Sequence, residues 1–118
     1  MNTLSPSKIP TLTDMEKKSI SKLKERIAVL FKLKSMILFG SKARGDYEEW
    51  SDVDLLILVD EEKNWSNREK LSDITLDINM EFDTQLTCIL ENATNWEMES
   101  VWLPLKDNII QEGIAIEI

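Results

Sequence analysis

Apolar residues recur at three- and four-residue spacing through Ile20, Leu23, Ile27, Leu30 and Phe31. Directly before them stands Thr13-Asp14-Met15-Glu16, a Thr followed three residues later by a Glu, as in a capping box. The spacing predicts an amphipathic helix over about 14–32 with a lysine-rich outer face. A short apolar run, Met36-Ile37-Leu38-Phe39, then stops at Gly40 and reads as a buried strand. Ser41 to Trp50 is polar and turn-like, with a helical turn around Lys42–Arg44. Val53 to Val59 is continuously apolar except for Asp54, the pattern of a central strand buried on both faces.

From Asn64 or Ser66 a second long helix runs to about Phe82, with Leu71, Ile74 and Ile78 as its inner stripe. Gln85 to Leu90 reads as a third strand. Residues 91–103 suit a short helix or loop carrying Trp96 and Trp102. Pro104 sits at a helix start, residues 105–112 are compatible with a helix, and Gly113 suits its end. Ile114, Ile116 and Ile118 alternate as in a terminal strand. Residues 1–12, with Pro6 and Pro10, read as a loose lead-in. The order is one α/β domain over residues 1–118, a small mixed β-sheet with helices packed on it.

Composition narrows the chemistry. A chain of 118 residues, 42% apolar, is one domain able to bury a core. With no His and a single Cys (Cys88), it cannot build a Ser-His-Asp triad, a Cys-His pair, a His-based zinc site or an internal disulfide. Catalytic groups must be carboxylates, hydroxyls, Lys/Arg or a hard metal held by oxygens. The net charge of −8 argues against direct nucleic-acid binding. There is no membrane-length apolar stretch and no signal-peptide core, so the expected location is cytoplasmic, away from membranes. The charge is also uneven, net +7 over residues 1–44 and −15 over the remainder.

The informative segment is Phe39-Gly40-Ser41-Lys42-Ala43-Arg44-Gly45-Asp46, followed by Ser51-Asp52-Val53-Asp54-Leu55. Alternation along a strand points Asp52 and Asp54 to one face, roughly 6.5–7 Å apart. A carboxylate in an apolar run demands a cation or strong donors, since burying it unpaired costs several kcal/mol by general estimate, about 3–5. Two converging carboxylates suit Mg²⁺, which also takes substrate phosphates as ligands. Gly40 lets backbone N–H groups approach a phosphate, and Ser41 adds a hydroxyl. Arg44, one turn on, suits either a phosphate contact or the surface.

Together these residues spell G-S-x10-D-x-D, which resembles the DNA polymerase β-like nucleotidyltransferase superfamily. Within it the chain is similar to the minimal nucleotidyltransferases, antitoxin partners of HEPN toxins. The resemblance implies the polymerase β-like nucleotidyltransferase fold, with Gly40 and Ser41 on the nucleotide's phosphates and Asp52 and Asp54 on metal. It also implies a third carboxylate, catalytic and metal-binding, at the start of the next strand. Asp83 is the match, with Asp77 and Glu81 as competitors. The expected activity is Mg²⁺-dependent transfer of AMP from ATP, with two ions, to a hydroxyl. The resemblance makes that hydroxyl a tyrosine of a HEPN ribonuclease toxin. Two other functions fit the same chain: masking of the toxin by stoichiometric binding, and transfer to a small hydroxyl-bearing compound. Trp50, two residues before Asp52, suits base stacking or, more simply, packing, and Cys88 reads as a small buried hydrophobe.

Overall fold

The computed structural model describes residues 3–98 and 106–118. Helix α1 (Asp14–Leu30) begins at a complete capping box: Glu16 N–H donates to the Thr13 hydroxyl, and Thr13 N–H donates to the Glu16 carboxylate. Ile20, Leu23 and Ile27 form its buried stripe, whereas Leu30, counted on that stripe by spacing, is exposed where the helix ends. Strand β2 (Leu33–Phe39) starts earlier than its apolar run suggested, because Leu33 already pairs with Val59. The one-turn helix α2 (Ser41–Arg44) follows Gly40, and β3 spans Val53–Val59. Helix α3 (Trp65–Phe82) is capped by the Asn64 side chain, which accepts from Asn67 N–H. Strand β4 (Leu86–Asn92) leads into the short helix α4 (Ala93–Glu97), and α5 (Lys106–Glu112) precedes β5 (Ile114–Ile116). Trp102 and Pro104 lie outside the described residues.

The N-terminal segment is not a loose lead-in. Thr3–Leu4 forms a short strand, β1, parallel to β5, and Ile9 and Leu12 are buried in the main core. Prolines at 6 and 10 suggested irregularity, but Pro6 opens a single 3-10 turn, Pro6–Lys8, and Ile9 and Leu12 beyond it pack into the core. A fixed path and regular secondary structure are separate properties.

The mixed five-stranded sheet has the order β1-β5-β2-β3-β4, with β2 antiparallel to both β3 and β5, and β4 parallel to β3. Side chains alternate across it, so β3 divides cleanly. Val53, Leu55, Ile57 and Val59 join the core under α1 and α3. Leu56 and Leu58 join a second apolar cluster on the opposite face, with Ile37, Phe39, Trp96 of α4 and Ile109 of α5. Asp52 and Asp54 share the parity of Leu56 and Leu58 and therefore belong to that second face. Among the described residues no helix is long and apolar enough to cross a membrane.

Candidate functional site

The site forms where β2 ends and β3 begins. In the antiparallel register Phe39 lies opposite Asp54, so the next residue, Gly40, is brought against the Asp54 side chain. Gly40 has φ +76° and ψ −159°, a backbone unfavourable for L side chains. A Cβ at this position would land on Asp54 Oδ2 and come within 3.2 Å of Asp54 Cγ. Glycine is thus required twice, by conformation and by the approach of the carboxylate. Ser41 opens α2 beside this contact, with Ala43 and Arg44 N–H groups returning to the Gly40 carbonyl.

Asp54 is half-buried and Asp52 exposed. Burial pushes the Asp54 carboxyl above its ordinary value, and the charge of Asp52 pushes it further, with Arg44 opposing weakly. Arg44 relieves Asp54 only in part, because its guanidinium is engaged elsewhere. Its Nε donates to Asp46 at 3.1 and 3.2 Å, and its Nη1 donates to Glu112 of α5 at 3.1 and 3.2 Å. These two carboxylates, Asp46 foremost, raise the Arg44 pKa. Glu112 also accepts from Gly40 N–H at 3.2 Å, so one side chain ties α5 to both ends of the glycine-serine turn. Sequence spacing gave no signal for Glu112, which lies 72 residues from Gly40.

Lys42, the other cation of the turn, points inward. It is only 2% exposed, pairs with Glu16 at 3.2 Å and stands 4.3 Å from the Tyr47 ring centroid. The same Glu16 closes the α1 capping box. The turn is therefore fastened to α1 through Lys42 and to α5 through Arg44. In the sequence Lys42 looked like part of a polar turn; only tertiary contact reveals a buried ion pair.

The expected third acid does not join the aspartates. Asp83 is exposed and caps the end of α3 in the left-handed conformation, φ 52° and ψ 50°, three residues before β4 begins. Asp77 pairs with Arg26 at 3.3 Å, and Glu81 is exposed on α3. Among the described residues, no three acidic or thiol side chains come together in a group able to hold a metal. The reason is register. Asp54 lies beside Thr87 of β4, and Val53 N–H donates to the Gln85 carbonyl. The sheet neighbours of the carboxylates are thus Gln85 and Thr87. The Thr87 hydroxyl donates to Asp52 Oδ2 at 3.3 Å. With the Gln85 amide turned to satisfy its surroundings, its nitrogen donates to Asp52 Oδ1 at 2.9 Å and to the Trp50 carbonyl at 3.2 Å.

Trp50 itself is 73% exposed beside the site, not packed. Trp96 is buried against α5, where Lys106 Nζ lies 5.3 Å from its ring. Burial raises the Cys88 thiol to about 11, in keeping with an inert hydrophobe. A concavity of about 640 Å³ lies between α3 and β4, lined by Trp65, Arg68, Leu76, Asn79 and Cys88 among others. It contains neither aspartate of the pair. The chemistry-bearing arrangement is instead an open, all-oxygen edge: two carboxylates, one pressed against a glycine and lacking a cation. That donor set suits a hard divalent cation whose remaining positions are filled by water or phosphate.

Comparison with known proteins gives a consistent result. Residues 20–115 match the family described as "Nucleotidyltransferase domain". Two proteins of Methanocaldococcus jannaschii, each named "putative protein adenylyltransferase", are similar in sequence. One is 39% identical over 77 residues, covering 64% of this chain and 78% of the relative. The other is 30% identical over 82 residues, covering 70% and 76%. Among solved structures, a toxin–antitoxin crystallised with AMP-PNP superposes with a TM-score of 0.58 at 19% identity, covering 87% of this chain and 72% of that one. A mutant of the toxin–antitoxin MntA-HpeT gives 0.56 at 18% identity, covering 83% and 69%. At these identities the superpositions establish the shared fold.

Proposed function

Since the chain belongs to the nucleotidyltransferase domain family, we propose that it is a magnesium-dependent protein adenylyltransferase acting from the Asp52–Asp54 edge. The observation that carries this reading is Asp54. It is a carboxylate at the mouth of an apolar strand, held against a side-chain-free Gly40 and raised in pKa by burial and by Asp52. A position so unfavourable for its own charge is suited to a cation delivered with substrate.

In this reading Asp52 and Asp54 hold magnesium, which would neutralise charge on the α-phosphate and on the departing pyrophosphate. Gly40 and Ser41 border the triphosphate, Ser41 through its hydroxyl. Arg44, held by Asp46 and Glu112, orients the turn and borders the same phosphates. The acceptor hydroxyl oxygen bonds to the α-phosphorus while the bond to the bridging oxygen breaks. Pyrophosphate leaves with that electron pair, and the hydroxyl proton passes to solvent, which the exposed Asp52 side admits. Asp83, exposed at a helix end, has no role in this scheme.

The acceptor we assign is a tyrosine of a HEPN ribonuclease toxin in the cytoplasm, with the chain acting as its antitoxin. The likeness in fold to toxin–antitoxin structures supports it, as does the resemblance of the G-S-x10-D-x-D segment to minimal nucleotidyltransferases. The test is stoichiometric. With ATP and Mg²⁺, a small amount of the chain should silence excess toxin and add AMP to a toxin tyrosine, read by intact mass and peptide mapping. Neutralisation only at parity, without ATP and with unchanged toxin mass, would replace catalysis by masking.

A further inference from the structure

We propose that Thr87 and Gln85, not a third acid, complete the carboxylate edge, so the chain holds a divalent cation firmly only together with a nucleotide's phosphates. The inference rests on the adenylyltransferase reading and deepens it. It follows from the β3–β4 register. These strands are parallel with Asp54 beside Thr87 and Leu56 beside Ile89, so Thr87 and Ile89 share the sheet face of Asp54 and Leu56. One further step along the alternation, Gln85 belongs to the same face as Asp52. The residues best placed to add negative charge to the pair are therefore an amide and an alcohol. Both donate to Asp52, Thr87 to Oδ2 at 3.3 Å and Gln85 to Oδ1 at 2.9 Å.

Two consequences follow from the chemistry. Each Asp52 oxygen accepts one neutral hydrogen bond and keeps a lone pair for a cation, so Thr87 and Gln85 are positioning residues that fix the carboxylate's orientation. Among the described residues no third acidic side chain groups with Asp52 and Asp54, so the edge itself offers two negative charges. Divalent-cation affinity depends on ligand charge and number, and Mg²⁺ retains waters readily, so two carboxylates on an open edge bind it weakly alone. The two cations of the turn are already engaged by carboxylates, Lys42 buried on Glu16 and Arg44 bonded to Asp46 and Glu112, so Arg44 can border the phosphates but carries little free charge toward them. Cation and triphosphate are each poorly served alone and complete each other's coordination when bound together.

The experiment uses the whole chain and Mn²⁺ as the probe, with binding followed by calorimetry and by the Mn²⁺ electron-spin signal, with and without AMP-PNP. Wild type should bind Mn²⁺ at least about tenfold more tightly with AMP-PNP than without it. Thr87→Asp adds the missing charge and should tighten Mn²⁺ alone by about tenfold or more. Thr87→Val should weaken Mn²⁺ with AMP-PNP by about tenfold while leaving the melting temperature unchanged, and Thr87→Ser should restore it. Equal Mn²⁺ affinity with and without nucleotide in wild type overturns the inference without recourse to any variant, as does an inert Thr87→Asp that melts like wild type. If wild type binds no AMP-PNP even with Mn²⁺, the adenylyltransferase reading itself fails. If nucleotide binds and Thr87→Asp changes nothing, only the two-carboxylate account fails.

Discussion

Glu16 and Asp54 both bring a carboxylate to the margin of the apolar interior, and their surroundings treat them oppositely. Glu16 meets Lys42 at 3.2 Å and closes the α1 cap, so its charge is met on two sides. Asp54 meets a glycine, and the charge of Asp52 raises its cost further. Both carboxylates border the same turn, one fastening it through an ion pair with Lys42 and the other lying against Gly40 with no salt bridge among the described residues. Satisfaction marks a group that serves the fold. Asp54 instead keeps a charge that burial and Asp52 make costly, at an open edge, which is why the proposed function places a ligand there.

The sharpest way to break this contrast is Asp54→Asn, which keeps the side chain's size and removes its charge. Transfer of AMP should fall about 1000-fold or more, equivalent to about 4 kcal/mol of transition-state stabilisation. Unfolding in urea without metal should show unchanged or slightly greater stability. Loss of folding together with unchanged activity in the folded fraction would put Asp54 in the same class as Glu16.

The complementary change, Lys42→Met, should do the opposite. Stranding Glu16 without its buried partner should lower stability by about 3 kcal/mol, read by urea unfolding. Nucleotide binding by the folded fraction should persist, since Lys42 points away from the carboxylate edge. Gly40→Ala touches both regions. It forces an alanine to a positive φ and presses its Cβ on Asp54, so stability should fall by about 1–3 kcal/mol. Binding of Mn²⁺ with AMP-PNP should drop in the same variant, because Asp54 must move. A smaller effect attends Ser41→Ala, where one neutral donor is lost: kcat/KM should fall by only the equivalent of about 0.5–1.5 kcal/mol.

The smallest effect is in pH. The Asp54 pKa is raised above its ordinary 3.8, so the folded chain binds this proton more tightly than the unfolded chain does. The proton's contribution to stability is complete below 3.8 and is lost as pH rises through the raised value. Metal-free wild type should therefore gain stability relative to Asp54→Asn as pH falls through that window, other carboxylates cancelling in the difference. Parallel melting curves of the two proteins check the sign; a relative loss on acidification would mean that Asp54 is stabilised as an anion.

Much of this was legible without coordinates because the determining interactions are local. The capping box at Thr13–Glu16, the seven-residue β3 and the α3 stripe of Leu71, Ile74 and Ile78 follow from periodicity and short-range donors. The shared face of Asp52 and Asp54 follows from strand alternation alone. Other features were hidden because they join distant parts of the chain. The packing of Ile9 and Leu12, the exposure of Trp50, and the hold of Glu112 on Gly40 and Arg44 leave no trace in spacing.

By itself, then, the amino-acid sequence determined the elements, the sidedness of the aspartates and the glycine-serine turn before them, since each depends on bonds and alternation within a few residues. The tertiary structure alone decided what surrounds those aspartates. Parallel pairing of β4 on β3 set Thr87 beside Asp54 and left Asp83 at a helix end. A shift of one residue in that register would have turned every β4 side chain to the other face. Registry between strands separated by a helix is fixed by how α3 packs on the sheet, a sum of many weak apolar contacts that no short stretch of sequence encodes.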